Sequence, residues 1–466
     1  MIRDRYTPQP LFELVPQLHL QFEPELAELD RLLDDDALFQ QVKADLAQRR
    51  PKSRVTGRPS TPVEVILRLL VVKHLYGWSY EQTEYFVNDS LVLRQFCRLY
   101  LEPVPDDTTL LRWANLIQPD TLHRLLDRVT DLARSLQVTR GRKLRTDSTV
   151  VETPIHHPSD STLLADGVRV LSRVATRAKA VVGATVRAGR ELFRDRTRSA
   201  KQLARRIGAT MVHGRQSTAQ ERQPLYRRLL EVAQASVRQA EQVRQVLAQV
   251  PGRVAQRLRA TLDRFQPLVE QVIAQTQRRV LDGEQVPAAD KVLSLFEPHT
   301  ALIRRGKARQ TTEFGNRVVL DEVEGGVITR SAVLPGNPPD AHSVPASLDH
   351  HRARFGRPPV VLAGDRGTYT PDNERRAKQM GVTQVALPQP GAKSEARRRY
   401  EQQAWFRRAQ RFRAGIEGRI SLLRRRFGLD RCRYHGRDGM ERWVGWAVIA
   451  HNLRVISRTA ARRRAA

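Results

Sequence analysis

Two cysteines in 466 residues, Cys97 and Cys432, are too few for a disulfide-stapled scaffold. Their separation also excludes a Cys-x-x-Cys metal or redox pair. A reducing cytoplasm is the compartment this usage fits. The first twenty residues lack the apolar core of a secretion signal. No apolar run is long enough to span a bilayer: the greasiest, "VEVILRLLVVKHLYGW", is short and carries Glu64, Arg68, Lys73 and His74. No sharp internal repeat is visible, so a solenoid is not indicated. Acids are also scarce. Fifty Asp and Glu face 80 Lys and Arg, which leaves a net charge of +30. That surplus points to a polyanion partner, because each neutralised phosphate releases counterions. Charge identifies the class of partner and not the activity.

What is present divides into four stretches. Residues 1–139 read as helical. Thr61-Pro62-Val63-Glu64 has the form of a capping box with proline at the first helical position. Ser79-Tyr-Glu-Gln82 is a second start signal, and Asp106 or Asp107 a third. Short capped helices suit a helix-turn-helix-like module, and they suit a plain bundle equally. The segment "RRPKSRVTGRPS" before the first box reads as a basic linker. Residues 140–153 read as a strand. Residues 168–286 are almost wholly helical in pattern, punctuated at Pro251-Gly252 and Gly283. Over 171–280 there are 23 Lys and Arg against 7 acids. From about 290 the pattern turns to strands: "KVLSLFEPHTALIRR", "TTEFGNRVVLDEVEGG" and "VITRSAVLP", with Glu324-Gly325-Gly326 as a hairpin turn. Helix, strand, helix, strand and further helices complete the chain. Apart from the helical block this is an α/β layer with a mixed sheet.

Three acids stand out. Asp147 interrupts the strand "KLRTDSTVVET", where a core-filling strand would place an aliphatic residue. Asp365 follows the apolar run "VVLAGD", at the strand end where ligands of open α/β sheets bind. A strand-end Asp also caps helices. Glu417 lies beside an apolar stripe of Phe412, Ile416, Ile420, Leu423 and Phe427 on one predicted helix. Arg413 and Arg424 share its face. Such an Arg–Glu pair is also an ordinary surface salt bridge. Carboxylates on rigid elements can hold Mg2+ ions for phosphoryl transfer, with the arginines gripping phosphates bidentately. The loop "GAKSEARRR", with Lys393, Arg397 and Arg398, reads as a further DNA clamp. Asp160 reads as a helix cap, His299 as a structural hydrogen-bonding residue, Trp443 and Trp446 as core, and Trp405 as the base-stacking exception among the tryptophans.

The blocks "DSTVVETPIHHPSDSTLLADGVRVLSR", "VVLAGDRGTY", "FRAGIEGRISLLRRRFGLDR" and "WVGWAVIAHNL", in this order, resemble the DDE transposases of bacterial insertion sequences. The ISNCY group is the closest likeness. The resemblance implies a ribonuclease H-like mixed sheet flanked by helices over 140–167 and 287–466. It implies an N-terminal helical DNA-binding domain over 1–139. The helical block 168–286 becomes an insertion between the first and second core strands. It also implies that Asp147, Asp365 and Glu417 hold two Mg2+ ions, with Mn2+ as a substitute. The partners implied are double-stranded DNA, as terminal inverted repeats and as target, and further copies of the chain in a dimer or larger synapse. The family's Tyr–Arg–Glu–Lys signature falls on Gln410, Arg413, Glu417 and Arg424, so its tyrosine is replaced. A related nuclease without strand transfer, or an inactive DNA-binding protein, would share much of this pattern.

Overall fold

The computed structural model describes residues 22–48, 61–182, 190–212, 219–304 and 312–466. The expected basic linker over 49–60 lies outside them. The chain forms two compact units, Met1–Pro154 with Asn316–Ala466 and Ile155–Gly315.

Among the described residues the first unit opens with seven helices: α1 (Pro24–Leu32), α2 (Asp36–Gln48), α3 (Val63–Tyr76), α4 (Tyr80–Asp89), α5 (Leu91–Phe96), α6 (Asp107–Leu116) and α7 (Pro119–Ser135). The capping box at Ser79 is complete, and Asp106 caps α6 through the Thr109 N–H. The box expected at Thr61 is not formed as expected. Pro62 stands at the cap itself and α3 starts at Val63. Glu64 instead accepts from Arg68 at 3.1 Å. Helix α3 is buried from Val63 to Leu75. The charges that argued against a membrane span are accommodated inside the protein. Arg68, with no exposure, also meets Asp30 at 2.6 Å and Asp34 at 2.8 Å. Lys73 lies over the rings of Tyr80, Tyr434 and Trp443, and burial, with Arg433 nearby, lowers its pKa to about 7. Among the described residues no helix is long and apolar enough to cross a membrane.

The sheet comes next. Strand β1 (Lys143–Glu152) lies between β3 (Thr312–Val323) and β5 (Val361–Ala363), and β6 (Gln384–Ala386) lies beyond β5. Strand β4 (Val327–Val333) pairs antiparallel with β3, whereas β5 is parallel to both β1 and β6. The order β4-β3-β1-β5-β6 with mixed directions is the ribonuclease H-like arrangement that the resemblance implies. Helices α12 (Val344–Phe355) and α13 (Pro371–Gln379) connect the later strands. Helices α14 (Glu395–Gln402), α15 (Ala404–Phe427) and α16 (Gly436–Ala465) complete the unit. One apolar core runs through it, from Leu29 and Leu70 through Leu144 and Val318 to Trp446. Helix α16 packs on α1, α3, α7 and β4. The N-terminal helices and the sheet therefore share a core rather than meeting at residue 139. Trp443 and Trp446 are buried in it.

In the second unit α8 (Asp160–Val182), α9 (Thr197–Val212), α10 (Ala219–Ala248) and α11 (Arg253–Thr276) enclose their own apolar core. The 167/168 boundary falls inside α8, so "PSDSTLLADG" belongs to the helical unit. Gly167 allows α8 to approach α11: an added Cβ would stand 2.8 Å from Val269. Asp160 does not cap α8. Ser159 Oγ accepts from the Thr162 N–H at 3.3 Å, while buried Asp160 takes Arg279 at 2.9 Å and Gln275 at 3.2 Å. Of the strand expected over 291–305, the described residues form only β2 (Ala301–Arg304), which pairs with the first residues of β3. His299 bonds Glu297 at 2.8 Å, the structural role expected of it.

The β3–β4 turn is tightly constrained. Gly325 has φ +86°, and an added Cβ would lie 2.2 Å from the Val138 carbonyl oxygen. The neighbouring Glu324 carboxylate accepts the N–H groups of Arg140, Arg142 and Lys143, which ties the turn to the start of β1. Gly325→Ala is expected to destabilise the protein by at least about 2 kcal/mol in urea unfolding, from left-handed strain plus a backbone clash.

Candidate active site

The ladder between β1 and β5 brings the first two acids together. Its register pairs Lys143 with Val361, Leu144 with Leu362 and Arg145 with Ala363. Two residues further along each chain stand Asp147 and Asp365, at the same level and with the same parity. Neighbouring strands lie about 4.8 Å apart, so the two carboxylates face one small volume. The electrostatics agree with this placement. Burial pushes the Asp147 carboxyl above its ordinary range, and Asp365 and Asp340 push it further. Arg413 and the Ser148 N–H oppose that shift. Asp365 also caps a short turn, Arg366–Thr368, accepting the Thr368 N–H at 3.0 Å through Oδ1.

Two glycines flank Asp365, and only one of them leaves space at the site. A Cβ on Gly364 would lie 2.2 Å from Thr368 Oγ1, so that space is filled by the cap itself. A Cβ on Gly367 would lie within 3.5 Å of both Asp365 oxygens and 3.3 Å from Asp340 Oδ2. Gly367 thus leaves room between two carboxylates. Asp340, which also meets Arg317 at 3.1 Å, is an acid of this neighbourhood that sequence reasoning missed. It lies in the loop "NPPDAHS", with no strand or motif to single it out.

Helix α15 supplies the third acid, and its docking is tightly specified. The stripe Ile416, Leu423 and Phe427 is buried, with Phe412 and Ile420 packed at its edges. Arg145, two residues before Asp147, makes a buried bidentate pair with Glu322 of β3 at 2.6 and 3.1 Å. Its remaining nitrogen donates to the Phe412 carbonyl of α15, and its guanidinium lies 4.5 Å from the Phe412 ring centre. Gly415 makes this approach possible, since a Cβ there would stand 2.5 Å from Arg145 Nη1. Arg419 of α15 meets the same Glu322 at 3.2 Å. Gln410, in the signature's tyrosine position, donates to the carbonyls of Ala386 at 2.7 Å and Gly364 at 3.3 Å. It pins α15 to the ends of β5 and β6, one residue before Asp365.

Glu417 reaches the aspartates through an arginine. Arg413 donates to Asp147 Oδ2 and to Glu417 Oε1, each at 2.9 Å. Glu417 itself is exposed. Among the described residues no group of three His, Cys, Asp or Glu side chains stands close enough together to hold a metal ion. With its side chains in this arrangement, the site has two neighbouring aspartates and a glutamate, with Arg413 between Asp147 and Glu417. The signature's last position, Arg424, is half-buried on the same helix, eleven residues beyond Arg413.

Beside Asp365 opens a cleft of about 1100 Å3. Arg366, Lys393, Arg407, Arg408, Arg411 and Arg413 line it, against only Asp365 and Glu401. The clamp residues divide by use. Lys393 bonds Glu401 while lining the cleft. Arg398 is exposed. Arg397 turns inward to Glu401 at 2.9 Å, Glu374 at 2.6 Å and the Leu387 carbonyl, which commits it to holding α14 in place. Trp405 packs against Tyr400 and Phe406 in a small satellite core.

Two family models match the chain. One, described as a transposase domain (DUF772), covers residues 10–116, and the other, a transposase DDE domain, covers residues 275–453. No curated protein and no solved structure matches. Asp365 and Glu417 fall inside the second match, and Asp147 falls outside both. The placement of Asp147 beside Asp365 is carried by strand register and by the charge of Asp365 acting on it. The matches identify the family and not the ISNCY group within it.

The Arg145–Glu322 pair predicts a measurable asymmetry. Glu322→Gln leaves a buried guanidinium short of its counter-charge and is expected to cost about 3 kcal/mol in urea unfolding. The double variant Arg145→Met/Glu322→Met is expected to recover part of that loss.

Proposed function

This chain belongs to the DDE transposases of insertion sequences, and we propose that Asp147, Asp365 and Glu417 are the acids with which it cuts and joins DNA. The observation that carries the reading is the level, parallel placement of Asp147 and Asp365 on neighbouring strands. The donor set fits a hard divalent cation. It consists of oxygen ligands, and burial and two nearby acids leave Asp147 with negative charge that a cation would relieve. Two Mg2+ ions, or Mn2+ in their place, would be held by Asp147, Asp365 and Glu417. When bound they supply charge neutralisation at the phosphate and a more acidic water or 3′-hydroxyl.

The chain's own residues orient the substrate. In cleavage a water oxygen bonds to phosphorus as the bond to the 3′ oxygen breaks, and the departing oxygen takes up a proton. In joining, that 3′-hydroxyl attacks a target phosphate by the same in-line displacement, releasing the target's own 3′ oxygen. Arg413, Arg424, Lys393 and Arg398 grip phosphates flanking the scissile one, within or beside the basic cleft. For Arg413 this requires exchanging its carboxylate partners for phosphate, which frees Glu417 to turn towards the aspartates. Arg397 holds the clamp loop instead of contacting DNA. The N-terminal helices recognise the element's terminal inverted repeats, and two or more copies assemble the ends into a synapse.

Asp147→Asn, Asp365→Asn and Glu417→Gln are each expected to abolish cleavage while leaving end binding within a few-fold of wild type. A variant that still cuts at the wild-type rate removes that residue from the set. Metal binding gives a readout apart from activity. Mg2+ at a hundred times its Kd is expected to stabilise the wild type by about 2.7 kcal/mol. Asp147→Asn and Asp365→Asn should lose that increment in a thermal melt.

The raised pKa of Asp147 has a defined sign. The folded state holds this proton more tightly than the unfolded chain, so in metal-free protein its contribution to stability is present at low pH. That contribution is lost as pH rises through the folded pKa. Metal binding runs the other way, because only the ionised carboxylate is a ligand. Mg2+-induced stabilisation is therefore expected to fade on acidification at a pH above the usual aspartate range. Stabilisation that persisted unchanged down to that range would contradict the assignment of Asp147.

A further inference from the structure

We propose that the groove between α8 and α9 in the second unit is a sequence-independent binding site for the phosphate backbone of duplex DNA. The proposal rests on the reading of the chain as an enzyme acting on DNA, and assigns part of the grip to a unit that holds none of the three acids.

Helices α8 and α9 carry eight cations: Arg169, Arg173, Arg177 and Lys179 on the first, and Arg198, Lys201, Arg205 and Arg206 on the second. Their only acids are Asp160 and Asp166. Asp160 is buried and taken by Arg279 and Gln275. Asp166 pairs with Arg169 at 2.8 Å and lies 3.6 Å from His156. Among the described residues Arg173, Arg177, Lys201 and Arg205 meet no carboxylate within ion-pair distance, and all four are exposed. Like charges held together on a folded surface repel one another, and a polyanion relieves that repulsion.

Geometry then selects the kind of polyanion. Arg169, Arg173 and Arg177 recur every four residues, about 6 Å along the helix axis. Arg198, Lys201 and Arg205 share one face of α9 at spacings of three and four. Between α8 and α9 lies a cleft of about 560 Å3 lined by Arg169, Lys201 and Arg205 and by the small side chains of Thr162, Ala165 and Ala204. Asp166, held by Arg169, and His156 also face it, and Arg173 and Arg177 continue the row along α8 beyond this lining. Each strand of a duplex carries one phosphate per about 3.4 Å of helix axis, so a row of cations about 6 Å apart along a helix laid on the duplex can meet successive backbone phosphates. Among the residues of these helices whose side chains are described, none is a large exposed apolar one, which offers little to insert into a lipid surface. Among the described residues lining the cleft His156 is the sole ring and there is no amide side chain, so the contacts it offers are chiefly to the backbone.

The test uses the full chain and a duplex of about 30 base pairs lacking the element's ends, with affinity followed by fluorescence anisotropy across salt concentrations. For Arg173→Gln/Lys201→Gln/Arg205→Gln, the slope of log affinity against log salt should fall by about 2.7, or about 0.9 per lost phosphate contact. The conservative triple Arg173→Lys/Lys201→Arg/Arg205→Lys should keep the wild-type slope. An unchanged slope in the glutamine triple overturns the proposal, as does an equal loss in the conservative one. Should the glutamine triple melt early, Lys201→Gln alone is read for its single increment on the same terms. Failure here leaves the acids untouched if Asp147→Asn still abolishes cleavage. A wild-type chain whose DNA binding ignored salt would instead undercut the phosphate-gripping reading of the whole protein.

Discussion

The parallel pairing of β1 with β5 is the constraint on which the candidate site depends. Three matched pairs, ending at Arg145 and Ala363, fix the level at which both chains leave the ladder. Because side chains alternate, a slip of one residue would turn Asp147 and Asp365 to opposite faces. The short apolar strand β5 and the buried residues Leu144 and Val151 hold that register against solvent. Strand β5 runs into a capped turn, so Asp365 is held by a backbone hydrogen bond as well as by its position.

A second layer of bonding locates the helix that carries Glu417. Arg145 serves both elements: its backbone belongs to the β1 ladder and its side chain grips Glu322 and the Phe412 carbonyl. Placing an ion pair at this depth costs desolvation, and its value lies in geometry more than in stability. Gln410 acts at the other end of the contact. Together they fix α15 against the strand ends with groups that cannot slide along it, which apolar packing alone would permit. The departure from the family's tyrosine is then intelligible, since the amide here serves as a tether.

Charge is distributed in two tiers. In the first unit cations concentrate around the cleft beside Asp365, where Lys393 meets Glu401 and Arg413 meets Asp147 and Glu417. In the second unit they lie along helices almost free of acids. Helices packed around an apolar core of their own need no charge outside for folding, so the surplus there is available for binding. The surplus over 171–280 was visible in the sequence, and the fold shows that much of it is unpaired.

The sequence by itself determined most of the element types, because periodicity is a local property, and it singled out three acids by their strand, strand-end and helix positions; the ribonuclease H-like sheet followed from the family resemblance. It also pointed to the family, since four motif blocks occur in order. Only tertiary structure decided which charges face which. Arg397 and Arg413 look alike in a basic stretch, yet one holds a loop and the other bridges Asp147 and Glu417. Asp160 looked like a cap and proved to be a buried ion-pair partner. Asp340 joined the acids without any local signal, and the N-terminal helices merged their core with the sheet across the expected boundary at residue 139. Each of these outcomes depends on contacts between residues far apart in the chain, and those distances are set only when the cores close.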